Sequence, residues 1–420
     1  MKFEASCFVI VLRMIVFDKN YVRASALKTR QFDLIYHPLM NTTSHRWTLA
    51  CATSLLLVTG MAATSCAART AAKLLGHKDD ADQTHALEEL APLYAQPKFI
   101  APGPAFNAKK VMAGKSIYRI AGPNSNPWYQ QGFNGMKSAA EKVGFPFTAC
   151  SNEGQLPQYQ LCMAQGINQK ATLIDLFAGP NPNELAREIS AAKAAGTLVA
   201  VSHNFGMDET VPNVSANFSV DFALAARLLA DWVISKDETA HVLVLVSDEL
   251  PSTADMRAGI TSEFKQFGGA GIQYSFVNVS IAQWGTGLKP AVEKAIAADP
   301  KLSYIICIYD SMAEFVVPAI ASAKKEGKVK VIGFNGTPFV LDMVRTGKVE
   351  MTVGECQEWT SYAITDAEMR LIGGMGAVKN LHIPFRIFDK SNAAEAGMPA
   401  TYGKGYGDTF KADYSKLWGL

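Results

Sequence analysis

The sequence has no marked excess of either charge, because its 420 residues contain 40 Lys and Arg against 38 Asp and Glu. A nucleic-acid-binding domain usually presents a strongly basic surface, so this near balance gives no indication of a nucleic-acid partner. The GxSxG, HExxH, Walker and strand-linked GxGxxG patterns, which carry nucleophilic, zinc-dependent and nucleotide-dependent chemistry, are all absent. We therefore expect no enzyme activity, no cofactor and no catalytic metal.

Long apolar runs are missing from most of the chain, and the exception lies near the N-terminus. Residues 49–63 are apolar and uncharged, a length that suits the core of a signal peptide but is short for a membrane span. Met40 precedes this run and small residues follow it, so the pattern predicts an export signal over residues 40–68. Residues 1–39 have no part in such a signal, and we interpret them as an upstream extension.

Cys66 lies among the small residues that end the predicted signal. A cysteine at this place fits a lipoprotein signal, in which it becomes lipidated, although Ala63 occupies a position where leucine is usual. The alternative is ordinary cleavage at a nearby small residue. Under either interpretation the protein leaves the cytoplasm for the periplasm or the outer face of the cell membrane.

Residues 69–112 are rich in alanine, charged residues and proline. We interpret this stretch as a tether between the export signal and a folded body. A helix within residues 71–94 fits the same sequence.

From Lys115 onward, short apolar runs alternate with helical patterns. The alternation restarts after Asn217 and continues to a strand at residues 330–334. Repeated βαβ units indicate parallel sheets covered by helices, and so many strands exceed what one open sheet usually holds. The expected fold class is α/β with two doubly wound parallel-sheet lobes, formed by residues 113–217 plus 356–385 and by residues 218–355 plus 386–420.

Cysteine is scarce, with seven in the chain. Cys7 and Cys51 belong to the leader, and setting Cys66 aside as well leaves four. An even number in an oxidising compartment permits two disulfides, and we favour pairings that fall within one lobe. These pairings are Cys150 with Cys162 and Cys307 with Cys356. The alternative is that all four are buried free cysteines, and no Cys/His spacing indicates zinc.

Two aromatic residues, Trp128 and Tyr129, follow the first predicted strand, at the start of a helix that begins at Pro127. Ligands of open parallel sheets bind beyond the carboxyl ends of the strands, so these rings are expected at the mouth of a binding site. The alternative is that they cap the helix or pack on the sheet. We favour a ligand site because later strands also end in polar clusters.

A series of segments over residues 115–387 resembles the periplasmic sugar-binding proteins of ABC transporters, of the ribose-binding type. The segments, in chain order, are NPWYQQGFNGMKSAAEKVG, AQGINQKATLIDL, AAKAAGTLVAVSHN, YDSMAE and VIGFNGTPFVLDMVRTGKVEMTVGE. The resemblance implies a type I periplasmic binding fold, in which three hinge strands join two lobes that close on one small ligand. It also implies an ABC permease as partner and a monomeric protein.

The resemblance assigns site residues position by position. Asn126, Trp128 and Tyr129 match polar and aromatic positions after the family's first strand, and Trp284 matches an aromatic on the opposite lobe. In the family these aromatics sandwich a sugar ring, whose C–H faces are apolar. Asp310 keeps the acidic residue of a strand-end motif. The other matched positions are His203, Asn204, Arg257, Tyr309, Asn335 and Glu355.

Several matched positions depart from the family pattern. His203 and Asn335 stand where the family usually has aspartate, and Glu355 stands where glutamine is common. Asn204 and Tyr309 replace the usual arginine and asparagine. Because a carboxylate accepts two strong hydrogen bonds from a diol, the loss of two carboxylates predicts a ligand other than ribose or glucose. A different sugar, a polyol and a modified sugar all remain open.

Each of these residues also has a purely structural alternative. Glu355 is expected opposite Arg257, where the two either form an ion pair or meet a charged substituent. His203 could equally be a histidine hydrogen-bonded to a loop, and Asn335 could make a turn before a glycine. Trp284 could be a core residue of the second lobe.

The leading hypothesis is an exported protein that captures a carbohydrate-like ligand and delivers it to a membrane permease. A second hypothesis keeps the fold but makes the protein a ligand sensor for a chemotaxis or signalling receptor. The effector half of a transcription repressor would need a DNA-binding helix pair where the apolar leader stands. A secreted hydrolase built on Asp310 and Glu355 lacks an activated nucleophile.

Overall fold

Two β-sheets organise the part of the chain that the structure, a computed structural model, describes: residues 81–420. The predicted export signal, Cys66, residues 1–39 and the first part of the predicted tether lie outside the described residues. Between residues 81 and 420, no helix is both long enough and apolar enough to cross a membrane.

The first sheet has five parallel strands in the order β2-β1-β3-β4-β5. Two helices precede it, α1 (Ala81–Leu90) and α2 (Ala108–Met112). Its strands are β1 (Ile117–Ala121), β2 (Phe147–Ala149), β3 (Leu173–Phe177), β4 (Leu198–Ser202) and β5 (Ala216–Phe218). Its intervening helices are α3 (Pro127–Val143), α4 (Leu156–Asn168) and α5 (Ala186–Ala194). Because helices cover both faces, β1 and β3 are buried along their whole length.

The second sheet has six strands in the order β11-β10-β9-β8-β6-β7, all parallel except that β11 runs antiparallel to β10. Its strands are β6 (His241–Val246), β7 (Gln273–Asn278), β8 (Leu302–Cys307), β9 (Lys330–Asn335), β10 (Met351–Glu355) and β11 (Phe385–Asp389). The helices that pack on it are α6 (Phe222–Lys236), α7 (Ser252–Phe267), α8 (Trp284–Ala298), α9 (Ala313–Ser322) and α10 (Pro338–Arg345). The predicted fold class, α/β with two parallel-sheet lobes, is therefore confirmed.

Helix α11 (Gln357–Ile372) follows the second sheet in the chain but packs on the first lobe. Ser361 Oγ donates a hydrogen bond to the Gly132 carbonyl of α3 at 3.1 Å, and Ser138 Oγ lies 3.1 Å from the Tyr362 hydroxyl. The chain thus crosses between the lobes after β5, again after β10, and a third time between α11 and β11.

The described part of the predicted tether is folded onto the body, so for residues 81–112 the tether interpretation is wrong. Ala86 and Leu90 of α1 are buried in the core of the second lobe, against α6. Ala108 and Met112 of α2 are buried in the core of the first lobe. The segment between the two helices therefore crosses from one lobe to the other.

The C-terminal segment crosses in the same sense, from the second lobe to the first. Helix α12 (Thr409–Leu417) packs on α11, where Trp359 stacks on Phe410 at 4.7 Å and Tyr362 stacks on Trp418 at 5.6 Å. The prediction that residues 386–420 belong with the second lobe is wrong for their last helix, which lies in the core of the first lobe. Phe410 and Tyr414 of α12 bury their rings against α11, and Tyr414 also packs on Phe99, which explains this position.

The cysteines divide into one disulfide and two free thiols among the described residues. Cys150 and Cys162 are joined, with their Cα atoms 5.7 Å apart, so this predicted pairing is present. Cys307 and Cys356 are free and buried, so the second predicted pairing is wrong. The reason is that Cys307 lies in the core of the second lobe, whereas Cys356 lies in the core of the first.

Candidate functional site

A cleft at the carboxyl ends of the strands receives side chains from both lobes. It encloses a cavity of about 80 Å³. By the same measure one water molecule needs about 10–15 Å³, so the cavity has room for a small ring-shaped ligand. Eight residues predicted from the sequence line it: Asn126, Trp128, Tyr129, His203, Asn204, Trp284, Tyr309 and Asn335.

Trp128 is held in the cleft by the turn between β1 and α3. The Asn126 side chain accepts the Trp128 backbone N–H at 2.8 Å and so caps α3, which begins with Pro127. The Trp128 ring stacks on Phe177, with centroids 5.4 Å apart and planes 18° apart. Its orientation is therefore fixed before any ligand arrives.

Tyr129 packs edge-on against Trp128, with centroids 5.2 Å apart. Its hydroxyl donates to the Ala178 carbonyl at 2.6 Å. Burial raises the pKa of Tyr129 above its usual range, so the hydroxyl stays protonated. Because that proton is already engaged, Tyr129 offers the ligand mainly its ring.

Trp284 lines the same cavity from the second lobe, as the first residue of α8. Its indole N–H is within hydrogen-bonding distance of Ser247 Oγ at 3.0 Å and of the Val279 carbonyl at 3.2 Å. These contacts anchor the ring by its polar edge. The two predicted tryptophans, Trp128 and Trp284, thus line one gap from opposite lobes.

Neutral polar groups complete the lining. The Tyr309 hydroxyl lies 2.8 Å from Ser252 Oγ, and burial raises the pKa of Tyr309 to about 12. Asn204 donates its amide N–H to the Pro180 carbonyl at 2.9 Å and lines the cavity. Asn335 has a φ of 132°, strained for a residue with a side chain, next to Gly336 at 70°.

His203 lies at the end of β4 with a φ of 51° and a backbone N–H bonded to the Phe218 carbonyl. Its imidazole is 5.0 Å from the Trp128 ring, and its Nε2 is 2.8 Å from Glu355 Oε1. Glu355 itself does not line the cavity. It acts on the site by orienting His203, and its other oxygen has no hydrogen-bond partner among the described residues.

Arg257 is not part of the cleft, contrary to the position that the resemblance implied. Its guanidinium makes two hydrogen bonds to Asp248, at 2.8 and 2.9 Å, and lies over the Phe276 ring. This two-point carboxylate contact and the ring beneath it hold Arg257 elsewhere. The expected meeting of Arg257 with Glu355 is therefore wrong.

Asp310 is buried and does not line the cavity, although its neighbour Ser311 does. It accepts hydrogen bonds from the Thr337 backbone N–H at 2.9 Å and from Thr352 Oγ1 at 3.1 Å. Burial raises the pKa of Asp310 to about 6, against the opposing effect of these bonds. Asp310 thus connects the chain after β8 to the chain after β9 and to β10 through hydrogen bonds.

Seven lining residues were missed by the sequence analysis. Ala178 directly follows β3, and Pro123, Leu250, Ile281 and Ser311 lie within four positions of a strand's carboxyl end, where a parallel sheet presents its site. That position is the signal that could have found them. The seven are Pro123, Ala178, Phe222, Leu250, Ser252, Ile281 and Ser311.

The lining as a whole is aromatic and polar, with no carboxylate, lysine or arginine among the described residues that form it. Such a surface removes apolar ring faces from water and exchanges hydrogen bonds with hydroxyl groups, without demanding a net charge. It suits a neutral, hydroxyl-bearing ligand.

Comparison with known proteins agrees with this architecture. The family model of a periplasmic binding protein domain matches residues 117–375. The D-allose-binding periplasmic protein of Escherichia coli (strain K12) is 26% identical over 241 residues, which span 55% of this chain and 76% of that protein. The ribose import binding protein RbsB of Salmonella typhimurium is 24% identical over 247 residues, which span 58% of this chain and 80% of that protein.

Solved structures share the fold. An ABC transporter solute-binding protein from Agrobacterium vitis, bound with alpha-D-tagatopyranose, has a TM-score of 0.61 at 16% identity and covers 69% of this chain and 100% of its own. The Caulobacter myo-inositol binding protein has a TM-score of 0.57 at 19% identity and covers 68% of this chain and 97% of its own. Since the family match spans more than half of the sequence, from β1 to just beyond α11, this chain belongs to the periplasmic binding protein domain family.

Proposed function

We propose that this protein is the substrate-binding component of an ABC importer and captures a neutral sugar or sugar-like polyol between its lobes. The observation that carries the proposal is the shared cleft of Trp128 and Trp284, one from each lobe, with neutral polar groups between them. Aromatic plates cover the apolar faces of a sugar ring, and the polar groups receive its hydroxyls.

Capture works by closure of the lobes. A ligand that touches Trp128 on one side and Trp284 on the other gains both contacts only when the lobes are closed. It therefore shifts the equilibrium toward the closed state by its differential affinity. A membrane permease would then recognise surfaces of both lobes in the closed arrangement.

The ligand class follows from what the cleft offers. His203, Asn204 and Asn335 supply hydrogen bonds without the carboxylates that usually grip vicinal hydroxyls in this family. A site with this donor and acceptor pattern rejects ligands that leave its polar groups unpaired, at roughly 1–3 kcal/mol each. The relatives named for D-allose and ribose support an aldose or a reduced or modified derivative as the first candidates.

The cellular setting belongs to the same proposal. The family is one of periplasmic proteins, and residues 40–68 would supply the export signal, with Cys66 as a candidate lipid attachment site. The protein would act as a monomer and perform no reaction on its ligand. Mass spectrometry of the mature N-terminus would distinguish a lipidated Cys66 from a free terminus.

Isothermal titration calorimetry against a panel of aldoses, ketoses, polyols and inositols tests the ligand class. Binding should be saturable, at one site per chain, and should weaken by about ten- to a hundredfold in Trp128→Ala and in Trp284→Ala. Amino acids and dicarboxylates serve as the negative panel. The absence of detectable binding for every hydroxyl-bearing ligand, or binding of a charged metabolite instead, would overturn the proposal.

A further inference from the structure

Three potential metal ligands meet outside the cleft, where the N-terminal helix packs on the second lobe. They are His85 of α1, Asp231 of α6 and Glu263 of α7. One ligand atom from each lies within 4.8 Å of the other two. The three side chains come from three different helices, so the cluster exists only because α1 is folded onto the body.

The geometry of this cluster is already close to that of a metal site. His85 Nε2 lies 2.9 Å from Glu263 Oε1, and the His85 ring stacks on Phe267 with centroids 3.7 Å apart. Tetrahedral zinc with bonds of about 2.1 Å separates its ligand atoms by about 3.4 Å. Small side-chain rotations therefore suffice to place the three atoms around one ion.

The carboxyl group of Asp231 gives a second, independent indication that a cation binds here. Asp231 is only 1% exposed, and its Oδ1 has no hydrogen-bond partner among the described residues. A buried oxygen without a partner carries its full desolvation cost. A cation in contact with this oxygen would remove that cost.

The surrounding charges also favour a cation. The Asp231 and Glu263 carboxyl groups are both buried, at 1% and 4% exposure, and the Glu89 carboxylate lies near Asp231. Arg227 is a nearby cation. Two buried carboxyl groups placed side by side repel one another when both are ionised, and a divalent ion would relieve that repulsion.

We propose that His85, Asp231 and Glu263 bind one divalent zinc ion. One imidazole and two carboxylates form a ligand set that zinc accepts, and three protein ligands leave one position for water. The side chain of His85 is 31% exposed, which gives the ion a path to the cluster. This site is separate from the sugar cleft and does not depend on the proposed function.

The consequence of zinc binding would be structural. The ion would fasten α1, and with it the start of the crossing segment between α1 and α2, to helices α6 and α7. Binding free energy at such a site adds to folding stability because the unfolded chain does not present the three ligands together. We expect zinc to stabilise the second lobe and to protect the backbone of α1.

Competition titration with a chromophoric zinc chelator tests the site on the chelator-treated full chain. One zinc should bind, and the midpoint of thermal unfolding should rise by about 5 °C at zinc concentrations about a hundredfold above Kd. Hydrogen exchange of residues 81–90 should slow when zinc is added. His85→Ala and Asp231→Asn should each weaken zinc binding by at least about tenfold.

A matched control is available within the same lobe. His241 Nδ1 lies 2.6 Å from Asp299 Oδ2, and within residues 81–420 no third metal-ligating side chain joins this His–carboxylate pair. His241→Ala should leave zinc affinity and the zinc-dependent stabilisation unchanged. Glu263→Gln, which keeps the side-chain shape, serves as a second ligand variant if His85→Ala unfolds.

Two results would overturn the proposal. The first is the absence of zinc binding, or zinc binding that His85→Ala, Asp231→Asn and Glu263→Gln all leave unchanged. The second is a preference for calcium or magnesium over zinc, which the imidazole ligand does not suit. Loss of sugar binding with zinc binding intact would bear on the proposed function alone.

Discussion

His203 Nε2 lies 2.8 Å from Glu355 Oε1, and this buried contact joins the end of β4 in the first sheet to the end of β10 in the second. His203 faces the ligand cleft, whereas Glu355 stands behind it. One hydrogen bond thus connects the orientation of a ligand-facing group to the relative placement of the two lobes. The first prediction concerns this pair.

Glu355→Gln should lower ligand affinity by at least about tenfold, or about 1.4 kcal/mol, although the residue does not touch the ligand. The amide keeps the shape but loses the charge-assisted hydrogen bond that fixes the His203 ring. Calorimetric titration of the variant gives the affinity, and urea unfolding should show a stability loss of about 1–3 kcal/mol.

Asp299→Asn, at a more exposed His–carboxylate pair, is the control and should change ligand affinity and stability only slightly. Wild-type affinity in Glu355→Gln would show that the ring is held by other contacts.

Trp128→Ala and Trp284→Ala should each reduce ligand affinity by about ten- to a hundredfold, because each removes one apolar plate from the ring sandwich. Phenylalanine at either position should restore part of the affinity. Intrinsic fluorescence should respond to ligand in the wild type and lose part of that response in either variant. Trp232→Phe is the control, because Trp232 lies outside the cleft and bonds Glu350 through its indole N–H. If only one tryptophan matters, the ligand contacts one lobe more than the other and the clamp mechanism fails.

The Cys150–Cys162 disulfide should contribute about 3 kcal/mol to the free energy of unfolding, since it closes a short loop between residues 12 positions apart. Cys150→Ala with Cys162→Ala, or treatment with reductant, should lower the denaturation midpoint by a matching amount. Cys307→Ala is the control variant and should keep its sensitivity to reductant. Burial raises the pKa of both Cys307 and Cys356, so these thiols should react slowly with alkylating agents until the protein unfolds.

Asp310 should make stability depend on pH. Its pKa is about 6 in the folded protein against an ordinary value of 3.8, so the native state binds this proton more tightly than the unfolded chain. The resulting stabilisation is fully present below pH 3.8 and is lost as the pH rises through about 6, with a total size of about 3 kcal/mol. In Asp310→Asn this component should vanish, so that unfolding free energies measured from acid to neutral pH fall less steeply than in the wild type. Equal slopes in the two proteins would contradict the assignment.

Trp418→Ala should destabilise the protein by about 3–5 kcal/mol, even though the residue lies near the C-terminus. Trp418 is fully buried, stacks on Tyr362 and donates its indole N–H to Asp366 Oδ1 at 2.8 Å. Leu420→Ala is the matched control, because Leu420 is 43% exposed, and it should cost little. Thermal unfolding of the two variants gives the comparison, and similar midpoints would mean that α12 contributes little to the first lobe.

The fold was predictable because buried parallel strands leave short apolar runs in the sequence. The strand predicted at residues 330–334 is β9, Lys330–Asn335, and the helix predicted to begin at Pro127 does begin there. The aromatic part of the cleft was equally accessible, since Trp128 follows directly after a strand and the resemblance supplied Trp284. Local sequence carries these features.

The errors concern contacts between residues far apart in the chain. His203 and Glu355 are separated by 152 positions, and nothing near Glu355 indicates that its partner is a histidine rather than Arg257. The tether interpretation is wrong for α1 because its few apolar residues become a buried face only when α1 packs against α6. The predicted disulfide between Cys307 and Cys356 is wrong for a similar reason, because Cys356 lies where the chain passes from one lobe to the other.

The crossing segments at the two ends of the described chain bear on how the molecule moves. Besides the three connections that the family pattern implies, the stretch from α1 to α2 and the stretch from β11 to α12 also pass from one half to the other. A hinge made of five chain segments resists twisting more than a hinge made of three. We therefore expect the two lobes to rotate by only a small angle when ligand binds. The ligand-free and ligand-bound proteins should then differ little in radius of gyration measured by solution scattering.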